Sequence, residues 1–211
     1  MRAAHLDRFF TTSCSCSSVV LLAAIALASG CAAPGPRGEL PFGEWSGRGT
    51  LAYEAWPKPG DGEQEPKALS IHRSYPTTLS IRPGKIGDRE IIEVEILSER
   101  GRLGEDEEDT RSHLRLALVQ AKRVSDATVL YRVVDFKYNP GPDAELRFND
   151  DAPPVGATCT DVGDARVFQI PYMEGFFDTI RFRANRAEKW GVFFDKDSGL
   201  IHWAETLTRN D

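Results

Sequence analysis

The sequence predicts an all-β chain, either an antiparallel barrel or a two-sheet sandwich, closed around one interior. Three observations carry that expectation. Apolar and polar residues alternate along most of residues 43–208, with the period of two that marks half-buried strands. The alternating runs are short and are separated by clusters of Gly, Pro, Asp and Ser, giving about eight to ten strands, as small barrels and sandwiches use. Gly47 and Gly49 fall inside the first run, where they permit the sharp coiling that a closed sheet needs.

In the first strand Trp45, Gly47, Gly49, Leu51, Tyr53 and Ala55 share a face, and Ser46, Arg48, Thr50 and Glu54 mostly take the other. Leu69 and Ile71 suggest a short second strand, and Leu79 and Ile81 a third that stops at Pro83-Gly84. Ile92, Val94 and Ile96 alternate with Glu93 and Glu95, one dry face and one wet face, as in an antiparallel sheet. Residues 105–123 fit two readings. Leu114, Leu116 and Leu118 alternate as a strand, while Leu114, Ala117, Leu118 and Ala121 form a helical stripe between acidic and basic ends. The strand is preferred because Ser125-Asp126 reads as a hairpin turn into residues 128–136. Residues 139–164, with Pro140, Pro142, Pro153 and Pro154, then form a long connection. Beyond it, Val167 to Ile170 begins a strand. Phe176, Asp178, Ile180, Phe182 and Ala184 alternate in the next, and Trp190, Val192 and Phe194 in another. Asp195 to Gly199 turns the chain back through Leu200 to Leu207.

The chain opens differently. Arg2 and Arg8 precede a polar stretch and then ten apolar residues, Val19 to Ala28. Ten residues span about 15 Å as a helix, half a bilayer core, so the run suits a signal peptide over residues 1–30 rather than a membrane span. Leu27-Ala28-Ser29-Gly30-Cys31 resembles the lipobox of bacterial lipoproteins, with Ala28 where Leu is commoner. The resemblance covers residues 1–31. It implies a diacylglycerol on the Cys31 thiol and a membrane as partner through that N-terminal lipid. Ala32 in place of Asp implies, by the enteric-type rule, an outer-membrane lipoprotein facing the periplasm. Residues 31–42, with three prolines, read as an extended tether, and the β domain as residues 43–208.

Composition excludes some functions. The formal net charge is −6 over 211 residues, and removing Arg2, Asp7 and Arg8 with the signal leaves the mature chain near −7. Such a surface does not attract phosphate backbones, so nucleic acid is not an expected partner. Cys14 and Cys16 leave with the signal and Cys31 carries the lipid. Cys159 is then alone in the mature domain, without a disulfide partner, and reads as an apolar filler. His72, His113 and His202 lack metal-ligand spacing. Asp195-Lys-Asp-Ser-Gly199 lacks the terminal Glu of a calcium loop and reads as a turn. With no nucleophile elbow, dinucleotide fingerprint or phosphate loop, no catalytic residue, metal or cofactor is assigned.

The candidate site rests on four residues. Gly43-Glu44-Trp45 resembles the Gly-x-Trp at the start of lipocalins and related ligand-binding barrels. The resemblance implies that Trp45 sits at the closed end near an Arg from the last strand region, here Arg209. Thr160-Asp161-Val162 only partly echoes a second motif of those barrels, in what reads as a loop. A closed barrel pairs its first and last strands, so in a barrel Trp45 and Trp203 share an interior, where they either pack as solid core or wall a pocket for a small apolar ligand. Asp178 and Glu205 sit on otherwise apolar faces, where a carboxylate is either paired or carries a raised pKa. The expected function is therefore a non-enzymatic, lipid-anchored β domain of the cell envelope that binds a small apolar ligand or a partner. A structural protein docking through a Trp-rich face, and a hydrolase with a pocket carboxylate, are the alternatives.

Overall fold

The computed structural model describes residues 37–55, 70–101, 110–151, 156–173, 175–195 and 199–210. Residues 1–30, expected to be a signal peptide, and Cys31 lie outside them. Ten strands follow one another: β1 Gly43–Ala55, β2 Ser70–Ile86, β3 Arg89–Gly101, β4 Thr110–Ser125, β5 Thr128–Tyr138, β6 Gly156–Val162, β7 Ala165–Met173, β8 Phe176–Arg183, β9 Arg186–Asp195 and β10 Gly199–Arg209. Each pairs antiparallel with its neighbours in sequence, and β1 also pairs with β10. The result is a closed up-and-down barrel. Closure removes the edge strands that an open sheet or a sandwich would expose.

Several sequence expectations change in detail. The two short strands expected around Leu69–Ile71 and Leu79–Ile81 are one strand, β2, which continues past Pro83-Gly84. Residues 110–125 form β4 and no helix; the leucine alternation prevails because Leu114, Leu116 and Leu118 all enter the interior. The connection expected over residues 139–164 contains β6, so Thr160-Asp161-Val162 is strand. Residues 37–42, assigned to the tether, are docked on the barrel. Leu40 is buried, its N–H donates to Tyr131 Oη at 3.1 Å, and Arg166 Nη1 donates to Glu39 O at 2.6 Å.

The two ends of the barrel differ. At one end two-residue turns join β2–β3, β4–β5, β6–β7 and β8–β9. Gly87 and Gly163 supply the left-handed conformation there, and Ala184 adopts it at φ 40°. Trp45, Leu79, Ile81, Phe182, Ala187 and Leu207 fill this closed end, and each large apolar side chain so buried contributes about 1.5–3 kcal/mol. The other end carries the β1–β2, β3–β4 and β5–β6 connections. Outside the wall, Leu146 and Phe148 of the β5–β6 connection cover a second cluster of Ile91, Ala117 and Val134. The wet face of β3 is an ion-pair ladder in which Glu93 and Glu95 meet Arg82, Arg115 and His113.

Candidate functional site

All four expected residues point into the barrel: Trp45, Asp178, Trp203 and Glu205 are each at most 4% exposed. Three of them meet and one does not. Trp45 lies in the closed end against Phe182, with ring centroids 5.2 Å apart and the Arg209 guanidinium 5.7 Å from its ring. Trp203, Asp178 and Glu205 gather nearer the other end around a residue that the alternation did not single out, Lys189.

Strand register explains the gathering. Glu205 on β10 pairs with Lys189 on β9, and Trp203 pairs with Gly191. Gly191 pairs in turn with Asp178 on β8, which brings Asp178 diagonally beside Lys189. A Cβ at Gly191 would overlap both Asp178 Oδ1 and the Trp203 ring, so the missing side chain makes room for this contact. Gly49 on β1 does the same for the opposite flank. A Cβ there would lie 2.6 Å from Glu205 Cγ and 2.7 Å from Tyr75 Cζ.

Lys189 Nζ stands 3.0 Å from Glu205 Oε2 and 3.8 Å from Asp178 Oδ2, with all three side chains at most 1% exposed. Moving such ions out of water costs several kcal/mol each, and the lost hydration is replaced in kind. Glu205 accepts hydrogen bonds from Tyr75 Oη at 2.8 Å, Thr77 Oγ1 at 2.9 Å and Ser98 Oγ at 3.1 Å. Asp178 accepts from Trp203 Nε1 at 2.7 Å and Tyr172 Oη at 2.9 Å. Two carboxylates facing one ammonium cannot both be fully compensated, and their acidities separate. Burial raises the Asp178 carboxyl above its ordinary range; Lys189 offsets this only in part, and the Glu205 charge adds to it. Burial acts on Glu205 in the same direction, but Lys189 and the bonds from Tyr75 and Thr77 outweigh it and hold that carboxyl below the usual range.

A chain of aromatic rings runs from this triad toward the long-connection end. Trp203 and Phe176 lie 5.9 Å apart, Phe176 and Phe193 5.7 Å, Phe176 and Tyr172 4.4 Å, and Tyr172 and Phe136 5.2 Å. The last contact crosses a seam in the wall. β6 pairs with β5 only over Thr128–Arg132 and with β7 only as far as Gln169. Residues 133–138 of β5 and 170–173 of β7 therefore have no β6 strand between them.

Lys189, Tyr75, Thr77, Ser98 and Tyr172 were missed from sequence. Trp190, Val192 and Phe194 made the wrong face of β9 look like the interior one; Trp190 and Phe194 are exposed, and Ala187, Lys189 and Gly191 point inward. The signal was the two-residue turn at 184–185, which pairs Phe182 with Ala187 and fixes the inward register of β9. Arg181 and Arg183, on the same strand as Asp178, take no part in its pairing and meet Glu188 and Asp164 on the outside.

The other candidates for chemistry stand apart. Cys159 is fully buried, and burial above all pushes its thiol up to about 12, so it packs as a thiol. His113 pairs with Glu95 on the wall at 2.7 Å, and His202 is on the outer face; the His72 side chain and residues 196–198 lie outside the described residues. Among the described residues no three His, Cys, Asp or Glu side chains converge to hold a metal. No protein-family model, curated protein or solved structure matches the chain.

Proposed function

We propose that this chain is an exported lipoprotein of the bacterial envelope, anchored through a lipid on Cys31 and facing the periplasm, whose barrel binds a small apolar ligand without transforming it. The observation that carries the binding reading is the aromatic row Phe136–Tyr172–Phe176–Trp203. It lies beside the stretch of wall where β6 does not separate β5 from β7 and ends on the buried Asp178. Tyr172 and Trp203 each present an apolar ring to the row and a donor to Asp178, so the rings accept hydrocarbon and the triad forms a fixed polar floor. The anchoring half rests on residues 1–31, whose basic flank, short apolar run and Cys31 follow the lipoprotein order.

A catalytic role for Glu205 fits less well. Its carboxylate is buried and already takes three hydroxyl hydrogen bonds and one ammonium, leaving no approach for a substrate. The reading of a partner docked on a Trp-rich face has an observation of its own: Phe177, Trp190 and Phe194 are 45%, 41% and 50% exposed on the outside of β8 and β9.

Two measurements test the proposal. Cys31→Ser is expected to move the protein from the membrane to the soluble fraction; a variant that stays with membranes removes acylation as the anchor. Titration with the neutral naphthylamine dye N-phenyl-1-naphthylamine is expected to saturate at one site and to weaken about tenfold in Phe136→Ala. Absence of saturable uptake by the unaltered barrel overturns the ligand reading.

A further inference from the structure

On the outer wall, an open groove of about 410 Å3 crosses β2, β1, β10 and β9. Strand register puts Ser74, Thr50, Ala204 and Trp190 in one row across it, with Arg48 and Glu188 in the next. The row is unusual for an exposed wall. Three short side chains lie side by side, and the fourth is an indole left 41% exposed, so they form a trough bordered by one flat apolar ring. Arg48 has no ion pair among the described residues, and its guanidinium donates two long hydrogen bonds to Ser74 Oγ, at 3.4 and 3.3 Å, which leave the other N–H groups of the fork for a further acceptor. Across the trough, Glu188 is held by Arg186 at 3.2 Å and Arg181 at 3.9 Å.

We infer that this groove binds a neutral oligosaccharide, with one sugar ring laid against Trp190. The charge pattern selects the class. A cation would meet Arg48 and find Glu188 already answered by Arg186 and Arg181, the net charge of −6 works against an anion, and a hydroxyl accepts from a guanidinium without bringing a charge. The C–H face of a sugar ring suits an indole, which supplies rigid apolar area at little entropic cost. The trough is open, so it fits a segment of a chain better than an enclosed molecule. None of this depends on what the barrel interior holds.

Isothermal titration of the detergent-solubilised full chain with chitotetraose, cellotetraose and maltotetraose tests the inference. Saturable binding of at least one tetrasaccharide is expected. Trp190→Ala weakens it about tenfold or more, Trp190→Phe keeps it within about threefold, and Arg48→Ala lowers it as well. Trp190 lies outside the core, so an unchanged melting temperature separates lost binding from lost fold. The inference is overturned if none of the three sugars binds, or if Trp190→Ala leaves the affinity unchanged. It is also overturned if sedimentation shows self-association that Trp190→Ala abolishes, which assigns this face to a protein partner.

Discussion

The two halves of the barrel interior solve the same problem by different means. At the closed end, the inward positions of β1, β2, β8, β9 and β10 are Trp45, Leu79, Ile81, Phe182, Ala187 and Leu207, and burial of hydrocarbon holds them. One or two positions further along the same strands the inward residues are Glu205, Lys189, Asp178 and Thr77, equally buried. There the interior stands only because every charge has a counter-charge and nearly every lone pair a donor. An apolar layer degrades by degrees when a side chain is trimmed. A buried ionic layer fails when one member is removed, because the others stay charged with nothing to answer them. The polar half is also the half next to the seam and the aromatic row, and it would have been easier to build from leucine. Its retention there is consistent with a polar floor for a bound molecule.

The sharpest way to break this comparison is Lys189→Met. The substitution keeps the volume and leaves Asp178 and Glu205 facing each other in a dry interior. Urea denaturation at neutral pH is expected to show a loss of about 3–5 kcal/mol, shrinking in acid as the carboxylates take up protons. Adding Asp178→Asn and Glu205→Leu to the same variant should restore a large part of it. A loss below about 1 kcal/mol for the single variant would mean that the triad behaves as a solvated surface pair, and the distinction between the halves would fall.

Gly191→Ala probes the same layer sterically. The new methyl group would overlap Asp178 Oδ1 and the Trp203 ring, forcing apart a hydrogen bond of 2.7 Å. A cost of about 1–3 kcal/mol is expected, together with a shift in Trp203 emission. A silent substitution would show that the glycine is not what admits the indole to the carboxylate.

How much of this was readable beforehand differs between the halves. Period-two alternation placed Trp45, Asp178, Trp203 and Glu205 on inward faces; alternation, strand count and short turns allow a barrel or a two-sheet sandwich, and the β1–β10 pairing decides for the barrel. Lys189 was not readable by the same rule, because the rule equates inward with apolar. On β9 the aromatic residues Trp190 and Phe194 face water, while a lysine and a glycine face inward. What decides the face is the β8–β9 register set at Ala184–Asn185 together with charge compensation from Glu205 and Asp178. Neither is a property of β9 itself. Thr77 and Ser98 escaped for the same reason: their burial follows from a carboxylate on β10, far away in sequence, to which both donate.

Acidity sharpens the comparison within the triad. The Asp178 carboxyl is raised in the folded state. The stability it contributes is therefore full below the ordinary Asp range and is lost as pH rises through its folded value. Glu205 is lowered, so its contribution is present above the ordinary Glu range and is lost as pH falls through its folded value. From about pH 4 upward to about pH 8, the stability gap between Asp178→Asn and the unaltered protein should narrow, while the gap for Glu205→Gln stays level there and shrinks as pH falls below about 4. Urea midpoints from about pH 2 to about pH 8 read both, and parallel gaps for the two variants would refute the separation of the carboxylates.

The smallest effect is expected at the closed end, where a charge is present but does not sustain the layer. Arg209 lies over Trp45 at 5.7 Å and donates to Phe42 O at 2.9 Å. Its side chain stands at the rim, so removing it strands no opposite charge. Arg209→Ala forfeits a cation–π contact of about 0.5–1 kcal/mol, and a melting shift of about 2–4 °C is expected for a chain of this size. A shift as large as that of Lys189→Met would show that the closed end, too, rests on a charge, and that the apolar layer beneath Trp45 is not sufficient to hold it.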